Sequence, residues 1–439
     1  MRKKSYIFKR ICAVSLTICL AFSICGCGKN SDINGDKNSS VRQADIKAEN
    51  LTAGVKVDEV TGLELDDAFV NSTADFSVEL FKLAVAKDLS EGKNVLLSPE
   101  SISCALAMTA NGADEGTRSQ MENILAGGIS IEDYNKYLYT YNKRLTSDDK
   151  VKFNLANSVW IKENGGIDVR DDFLEVCKNY YSAQVYKAPF DVTSKDDINS
   201  WVNYNTDGMI SKLLDEIPAD IVMYLINAVA FEGEWETQYK DSQVMDNGQF
   251  TDYNGNKQTV CMLNSTEDMY ICDENATGFI KNYKGGKFAF MALLPNDGID
   301  VATYVSGMSG EHMIDMYNNR SYEEVRVRIP EFTYEYDTEL SEYLKAMGMQ
   351  EAFDQSADFS VMADYSDYLY INRVLHKTFI QVDRMGTKAA AVTAVEIKSE
   401  SAPMEDMPKS VYLTRPFVYA IIDTETGLPI FLGAVNTVK

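Results

Sequence analysis

Hydrophobic residues recur every three or four positions early in the chain, and this spacing predicts helices with one buried face. The first such segment covers residues 71–88. In a second segment, residues 102–110, nearly every side chain is apolar, so this helix should be buried on all sides. Ser98 and Pro99 suit its start as the N-cap and the first helical residue, and Gly112 suits its end.

Apolar and polar residues alternate in six later stretches, and a period of two predicts β-strands. These stretches are residues 153–160, 222–231, 288–294, 325–329, 417–422 and 430–435. Further helices are predicted at residues 172–181, 198–206 and 338–347, and a turn at residues 424–427 joins the last two strands. Because helices gather early and strands gather late, the pattern predicts an α+β domain.

The start of the chain has the features of an export signal. Five basic residues lie among the first ten positions, and the apolar stretch at residues 11–24 is too short to span a membrane comfortably. The stretch ends in Cys25-Gly26-Cys27, which resembles the cleavage box of bacterial lipoproteins. The resemblance implies a signal peptide at residues 1–26 and a lipid anchor on Cys27. The alternative is ordinary cleavage near Cys27 without a lipid.

Residues 27–70 are rich in Asn, Ser, Asp, Lys, Gly and Glu, which predicts a flexible tether before a single domain at residues 71–439. We therefore expect an exported protein, either lipid-anchored on the outer face of a bacterial membrane or secreted. Removal of five basic signal residues from the 42 Lys and Arg leaves 37 against 66 Asp and Glu, a net charge of −29. This charge argues against nucleic acids and other polyanions as partners.

The sequence lacks motifs for catalysis and for metal binding. Five of the eight cysteines remain after removal of the signal, and their spacing matches no metal site. The sequence does not decide whether Cys261 pairs with Cys272, so free thiols are the default. There is no G-x-S-x-G elbow, no H-E-x-x-H motif and no glycine-rich phosphate loop. We therefore expect no metal and no cofactor, and hydrolysis is poorly supported.

Five segments spread over nearly the whole chain after the tether resemble signatures of the serpins, a family of protease inhibitors. They are residues 94–108, 198–214, 225–235, 329–360 and 374–417. The resemblance implies the serpin fold, with a large central β-sheet, two smaller sheets, eight to nine helices and an exposed reactive loop. It also implies a monomer that traps a serine protease, or alternatively a cysteine protease, in a covalent complex when its cleaved loop inserts into the central sheet.

The resemblance assigns four polar residues to the place where the central sheet opens. In the family, residues matching Ser98, Ser101, Asn227 and His376 form a hydrogen-bonded cluster under the sheet. Such a cluster must be satisfied in both states, because half-broken buried polar networks are costly. Taken alone, the serines fit a helix start and the histidine fits a core position. The residue matching Trp235 lies near the top of the opening, where core packing is the simpler role.

The segment 386–398 resembles the hinge and the first part of the serpin reactive loop. Alternate residues of a strand point to opposite sides, so the segment can be sorted into two faces. The uncharged face consists of Thr387, Ala389, Ala391, Thr393, Val395 and Ile397. Lys388, Glu396 and Lys398 all fall on the other face. The pattern predicts a strand that becomes half-buried on insertion after the hinge Gly386; the alternative is an alanine-rich helix.

The base of the loop and its reactive bond carry two further expectations. The family usually has an acidic residue two positions before the hinge glycine, paired with a lysine. Here the matching residues are Arg384 and Glu331, which predicts an ion pair with exchanged partners. The family spacing from the hinge glycine points to Glu400–Ser401 as the reactive bond. The bonds after Lys398 and Met404 are alternatives.

Two other functions are compatible with the sequence. The first is a serpin-fold protein that binds or stores a ligand without inhibiting, which charged or bulky residues on the inward face of the hinge would favour. The second is a surface lipoprotein that binds solutes, which an anchor and a tether would suit equally well. A hydrolase is a third function, and the sequence supports it least.

Overall fold

The computed structural model describes residues 45–146, 150–163, 166–365, 368–387 and 408–439. Several predicted features lie outside these ranges: the signal peptide, the anchor Cys27, the hinge residues Ala389, Ala391 and Thr393, and the reactive-bond candidates Lys398, Glu400–Ser401 and Met404. The described residues all belong to one structural unit.

Nine α-helices lie in the described part of the chain. They are α1 (Asp67–Ala84), α2 (Pro99–Ala110), α3 (Glu115–Ala126), α4 (Ile131–Leu145), α5 (Asp171–Tyr181), α6 (Val192–Asn205), α7 (Val301–Ser306), α8 (Gly310–Asn318) and α9 (Ser341–Met347). Side-chain caps set several starts. Asp66 accepts a hydrogen bond from the amide of Phe69, and Asp191 accepts from the amides of Thr193 and Ser194. Because Asp191 is a cap, α6 begins before the predicted residue 198.

Nineteen β-strands lie in the same residues. They are β1 (Glu49–Asn50), β2 (Val95–Leu97), β3 (Val151–Lys162), β4 (Ile167–Val169), β5 (Gln184–Ala188), β6 (Met223–Glu234), β7 (Val244–Thr251), β8 (Lys257–Glu267), β9 (Met269–Cys272), β10 (Ala276–Asn282), β11 (Phe288–Pro295), β12 (Val325–Pro330), β13 (Phe332–Glu339), β14 (Ala363–Tyr365), β15 (Arg373–Val382), β16 (Gly386–Thr387), β17 (Lys409–Tyr412), β18 (Phe417–Asp423) and β19 (Pro429–Val435). Thr338 and Glu339 pair with β15, so helix α9 begins at Ser341 rather than at the predicted residue 338.

The strands form one large sheet and three smaller ones. The large sheet, called the central sheet below, has seven strands in the order β1-β5-β3-β6-β16-β15-β13. A six-stranded sheet has the order β2-β19-β18-β11-β10-β9, a four-stranded sheet has the order β17-β12-β8-β7, and β14 pairs with β4. The predicted α+β class with a large sheet and two smaller ones is confirmed, and the β4–β14 ribbon is an addition.

Helix α2 lies between the central sheet and the six-stranded sheet. It contacts β3 and β6 of the first and β19 of the second, and all twelve of its residues are buried. This confirms the prediction made from its apolar sequence. Ser98 precedes the helix and Ser101 lies in its first turn, so both serines are placed close to the strands of the central sheet.

Residues 45–55 lie along the edge of the central sheet. Strand β1 pairs antiparallel with β5, and the carboxylate of Asp197 accepts hydrogen bonds from the amides of Lys47 (3.0 Å) and Ala48 (2.8 Å). Thr52 is fully buried. The tether predicted up to residue 70 is therefore shorter in the structure, because the open edge of β5 offers backbone groups with which even a polar segment can pair.

Three further properties of the described residues concern their cysteines, their possible metal ligands and the hydropathy of their helices. The four described cysteines are free: Cys104 and Cys177 are buried, Cys261 is half-buried and Cys272 is exposed. No group of three or more histidine, cysteine or acidic side chains in the described ranges is placed to hold a metal ion. Among the described helices, none combines the length and the hydropathy needed to cross a bilayer.

Candidate functional site

The central sheet is partly open between β6 and β15. Residues 373–377 of β15 pair directly and in parallel with residues 224–228 of β6. Further along, β16 enters between the two strands and runs antiparallel to both, so that Thr387 pairs with Val382 on β15 and with Gly233 on β6. A strand that continued from β16 would therefore replace one parallel pairing with two antiparallel ones.

The hinge residues fit closely into this opening. A Cβ atom on Gly386 would lie 2.0 Å from the carbonyl oxygen of Gly233, so only glycine fits without movement of the backbone. Thr387 is 2% exposed, and its hydroxyl forms a hydrogen bond of 2.5 Å with the hydroxyl of Tyr283. The ring of Tyr283 is stacked on that of Trp235, with 4.7 Å between centroids. Thr387, the first residue of the predicted inward face, is therefore already buried here.

Two aromatic residues after β6 hold the base of the loop. The amide of Trp235 donates to the carbonyl oxygen of Met385, and its indole Nε1 donates to that of Asp383, both at 2.9 Å. The amide of Tyr239 donates to the carbonyl oxygen of Arg384 at 3.1 Å. We call Trp235 and Tyr239 the aromatic clamp. The aromatic clamp lies at the end of the opening where β16 enters, which is the place that the resemblance implied for Trp235.

The loop base contains a different ion pair from the predicted one. The guanidinium of Arg384 lies 2.7 Å from a carboxylate oxygen of Asp241, whereas Glu331 accepts a hydrogen bond from the backbone amide of Arg384 at 3.3 Å. Burial raises the pKa of the neighbouring Cys261 thiol to about 12, and a hydrogen bond to Glu331 adds to this effect. Asp241 could not be identified from the sequence, because it lies 143 positions before Arg384 in a three-residue 3-10 helix without a pattern of its own.

The four residues of the predicted opening cluster meet beneath β6 and β15. Nε2 of His376 accepts a hydrogen bond from the amide of Ser98 at 3.2 Å. The hydroxyl of Ser101 donates to the side-chain oxygen of Asn227, whose amide group donates to the carbonyl oxygen of Ser101 at 2.9 Å. Within the described residues, the Ser98 hydroxyl makes no capping hydrogen bond to α2, so the predicted side-chain cap is wrong.

Two further polar residues extend this cluster into a row across the sheet. The row consists of register partners on β3, β6, β15 and β13, all of them buried: Asn157, Asn227, His376 and Thr338. Asn227 donates a hydrogen bond of 2.7 Å to Oδ1 of Asn157. Burial lowers the pKa of His376 to about 3, so its imidazole is neutral. Sequence reasoning missed Asn157 and Thr338, although an asparagine in the middle of a predicted strand was a usable signal for Asn157.

Comparisons with known proteins agree with this geometry. A family model described as Serpin (serine protease inhibitor) matches residues 71–438. Intracellular coagulation inhibitor 2 from Tachypleus tridentatus is 31% identical over 389 residues, which cover 84% of this chain and 93% of the relative. The crystal structure of tengpin, a thermophilic serpin, in its native state has a TM-score of 0.85 and 46% identity, and covers 89% of this chain and 100% of its own.

A second structural neighbour is more distant in sequence. Thyroxine-binding globulin in complex with thyroxine has a TM-score of 0.74 and 23% identity, and covers 84% of this chain and 99% of its own, a likeness that shows the fold alone.

The short strand β16, which contains the hinge glycine, lies between β6 and β15 of the central sheet. The chain belongs to the serpin family. Tengpin has also been solved in a latent state, for which the TM-score is 0.76, against 0.85 for the native state. The arrangement of this chain therefore resembles the native state more closely than the latent one.

Proposed function

We propose that this protein inhibits a serine protease by presenting its reactive loop as a substrate and inserting the cleaved loop into the central sheet. The observation that carries the proposal is the position of β16 between β6 and β15, with the small, uncharged Thr387 turned inward. Insertion of a reactive loop is established behaviour in the serpin family. In this proposal the chain acts as an inhibitor and not as an enzyme.

The proposed reaction begins as ordinary proteolysis. The serine oxygen of the protease attacks the carbonyl carbon of the reactive bond, the C–N bond breaks, and the new amino terminus leaves with a proton delivered by the histidine of the protease. The remaining ester joins the two proteins. Insertion then moves the protease, and each oxyanion donor that it loses slows hydrolysis of the ester by about 10²–10³-fold. We propose Glu400–Ser401 as the bond, with the bonds after Lys398 and Met404 as alternatives.

The driving force for insertion would come from the central sheet. Residues 373–377 of β15 would give up their parallel pairing with β6, and the inserted strand would pair antiparallel with both neighbours. Each additional hydrogen bond of the ladder contributes roughly 0.5–1.5 kcal/mol. The predicted inward face of the loop carries no charge, so its burial adds apolar contact without the penalty of a buried ion.

We further propose that the protein works outside the cell, exported by its signal and anchored through a lipid on Cys27. Two observations of the sequence support this: the basic and apolar segments at the start, and the Cys25-Gly26-Cys27 box. The acidic surface that results from a net charge of −29 after removal of the signal would favour encounters with basic proteases.

A serpin that binds a ligand without inhibiting is the second candidate. Thyroxine-binding globulin shares the fold and was solved in complex with thyroxine, so the fold alone does not decide between the two functions. The hinge favours inhibition, because Thr387 is small, uncharged and already accommodated inside the sheet. Ala389, the next residue of the predicted inward face, provides the test.

The proposal is tested by incubation with a panel of serine proteases, followed by denaturing electrophoresis. We expect a covalent band of combined mass with at least one protease. Ala389→Arg, at the next position of the predicted inward face, should be cleaved without forming the band, because insertion would bury a charge. Thr333→Arg, at an exposed position of β13 in the same sheet, is the matched control and should form the band as wild type does. Equal inhibition by Ala389→Arg and wild type would show that inhibition does not proceed by insertion.

A further inference from the structure

Lys281 on β10 is a buried cation next to the aromatic clamp. The residue is 2% exposed, and its ammonium nitrogen lies 2.8 Å from a carboxylate oxygen of Glu267 on β8, whose side chain is 12% exposed. The hydroxyl of Ser265 donates to the same carboxylate oxygen. The ion pair therefore links a strand of the six-stranded sheet to a strand of the four-stranded sheet near the loop base.

The ammonium group of Lys281 also contacts both rings of the clamp. It lies 4.8 Å from the ring centroid of Tyr239 and 5.5 Å from that of Trp235, both within the range of a cation–π attraction. The backbone amides of these two aromatic residues hold the carbonyl oxygens of Arg384 and Met385. One buried cation thus contacts both residues that hold the loop base.

Tyr239 borders free volume on one side. A cavity of about 270 Å³ borders it, with Gln243, Glu267 and Lys281 among the lining residues. The hydroxyl of Tyr239 lies 3.2 Å from that of Ser265. Lys281 and Ser265 therefore both restrain the ring beside this free volume, and Glu267 contacts both of them.

A buried ion pair contributes little to stability compared with apolar side chains of similar volume, because both charges lose their hydration. It does restrict geometry, since the two charges are satisfied only when their side chains meet. We propose that Lys281, held by Glu267, is a positioning residue that keeps the aromatic clamp closed on the loop base until the loop is cleaved. This inference rests on the proposed function, because the clamp affects activity only if the loop enters the sheet.

The test is the rate at which the intact protein inserts its own loop during incubation without a protease. Inserted molecules are counted as the population that stays folded at a denaturant concentration that unfolds the starting protein. Lys281→Met keeps most of the side-chain volume and removes the charge, and it should raise this rate about tenfold through loss of the contacts with Glu267 and both rings. Lys281→Arg keeps the charge and should restore a rate close to that of wild type.

Two more variants separate positioning from general destabilisation. Glu267→Gln leaves the cation in place without its anionic partner and should also accelerate insertion. Arg118→Met removes the ion pairs of Arg118 with Glu122 in α3 and with Glu132 in α4. Helix α3 packs on α1, α2 and α4. The substitution should lower the unfolding midpoint without accelerating insertion.

The inference is overturned if Lys281→Met inserts at the wild-type rate. It is also overturned if Arg118→Met, at an equal loss of stability, accelerates insertion as much as Lys281→Met does. A wild-type protein whose cleaved form gives no denaturant-resistant population would contradict the proposed function and the inference together, and the cleaved form therefore distinguishes the two failures.

Discussion

The hydroxyl of Thr387 lies 2.5 Å from the hydroxyl of Tyr283, and both residues are shielded from solvent. Thr387 is the first residue of the predicted inward face of the loop, and Tyr283 stacks on Trp235 of the aromatic clamp. The loop strand is therefore anchored at its start inside the central sheet before any cleavage. The native state already contains the first two residues of the strand that insertion would extend.

Removal of the Tyr283 hydroxyl should loosen this anchor. In Tyr283→Phe the hydroxyl of Thr387 loses its partner, at a cost of about 1 kcal/mol, whereas the stacking on Trp235 is kept. We expect faster hydrogen exchange in the peptides that cover β16 and Trp235, measured by mass spectrometry. Tyr419→Phe removes another buried hydroxyl, one that pairs with Tyr334, and should leave this exchange unchanged. Equal protection of β16 in Tyr283→Phe and wild type would contradict the anchor.

A side chain at the hinge glycine should displace β16. In Gly386→Ala the new Cβ would lie 2.0 Å from the carbonyl oxygen of Gly233, and the resulting overpacking should lower the free energy of unfolding by about 1–3 kcal/mol. Gly54→Ala is the control, because a Cβ there meets nothing within 4 Å. Urea unfolding of both variants measures the difference. Equal stabilities would show that the hinge is not tightly packed between β6 and β15.

His376 should make the protein less stable in acid. Its pKa is near 6.5 in the unfolded chain and about 3 in the folded protein, so the folded state binds fewer protons between these values. The free energy of unfolding should therefore fall as the pH drops from about 6.5 toward 3, by at most about 1.4 kcal/mol per pH unit. His376→Gln does not titrate and should flatten this part of the profile, measured by urea unfolding across the range. An unchanged slope would rule out His376 as the cause.

Glu100 should make the protein less stable as the pH rises, which is the opposite of the effect of His376. Its carboxyl is buried on α2, with Sγ of Cys104 at 3.2 Å, and burial raises its pKa from 4.5 to about 7. The unfolded chain loses this proton first, so stability should fall as the pH rises from about 4.5 to about 7 and then level off. Glu100→Gln should remove the fall and stabilise the protein above neutral pH. If wild type and variant have parallel profiles in this range, the carboxyl does not titrate as described.

Local patterns predicted the direction and burial of individual elements well. The nearly unbroken apolar run of α2 identified a helix buried on all sides, and strand parity placed Thr387 on the inward face. The resemblance to the serpins brought Ser98, Ser101, Asn227 and His376 together, and the structure places them in hydrogen-bond contact or directly opposite each other on adjacent strands. Each of these predictions depends on neighbours in sequence or on a known family pattern.

Contacts between distant elements could not be predicted in this way. The pairing of Arg384 with Asp241 and the pairing of Lys281 with Glu267 depend on which strand or turn lies opposite, and single-residue patterns do not contain that information. The edge position of residues 45–55 was missed for a related reason. A polar segment without periodicity is ordered here by the free backbone groups of β5, which its own sequence does not reveal.

The central claim is that the cleaved loop completes the central sheet, and thermal unfolding of intact and loop-cleaved protein tests it most directly. The cleaved sample is prepared with a protease that cuts within residues 388–407 without being trapped. We predict that the cleaved protein unfolds at a much higher temperature than the intact protein, and that cleaved Ala389→Arg gains far less, because its inserted strand would bury a charge. Unfolding curves of intact and cleaved wild-type protein that overlay would contradict the account.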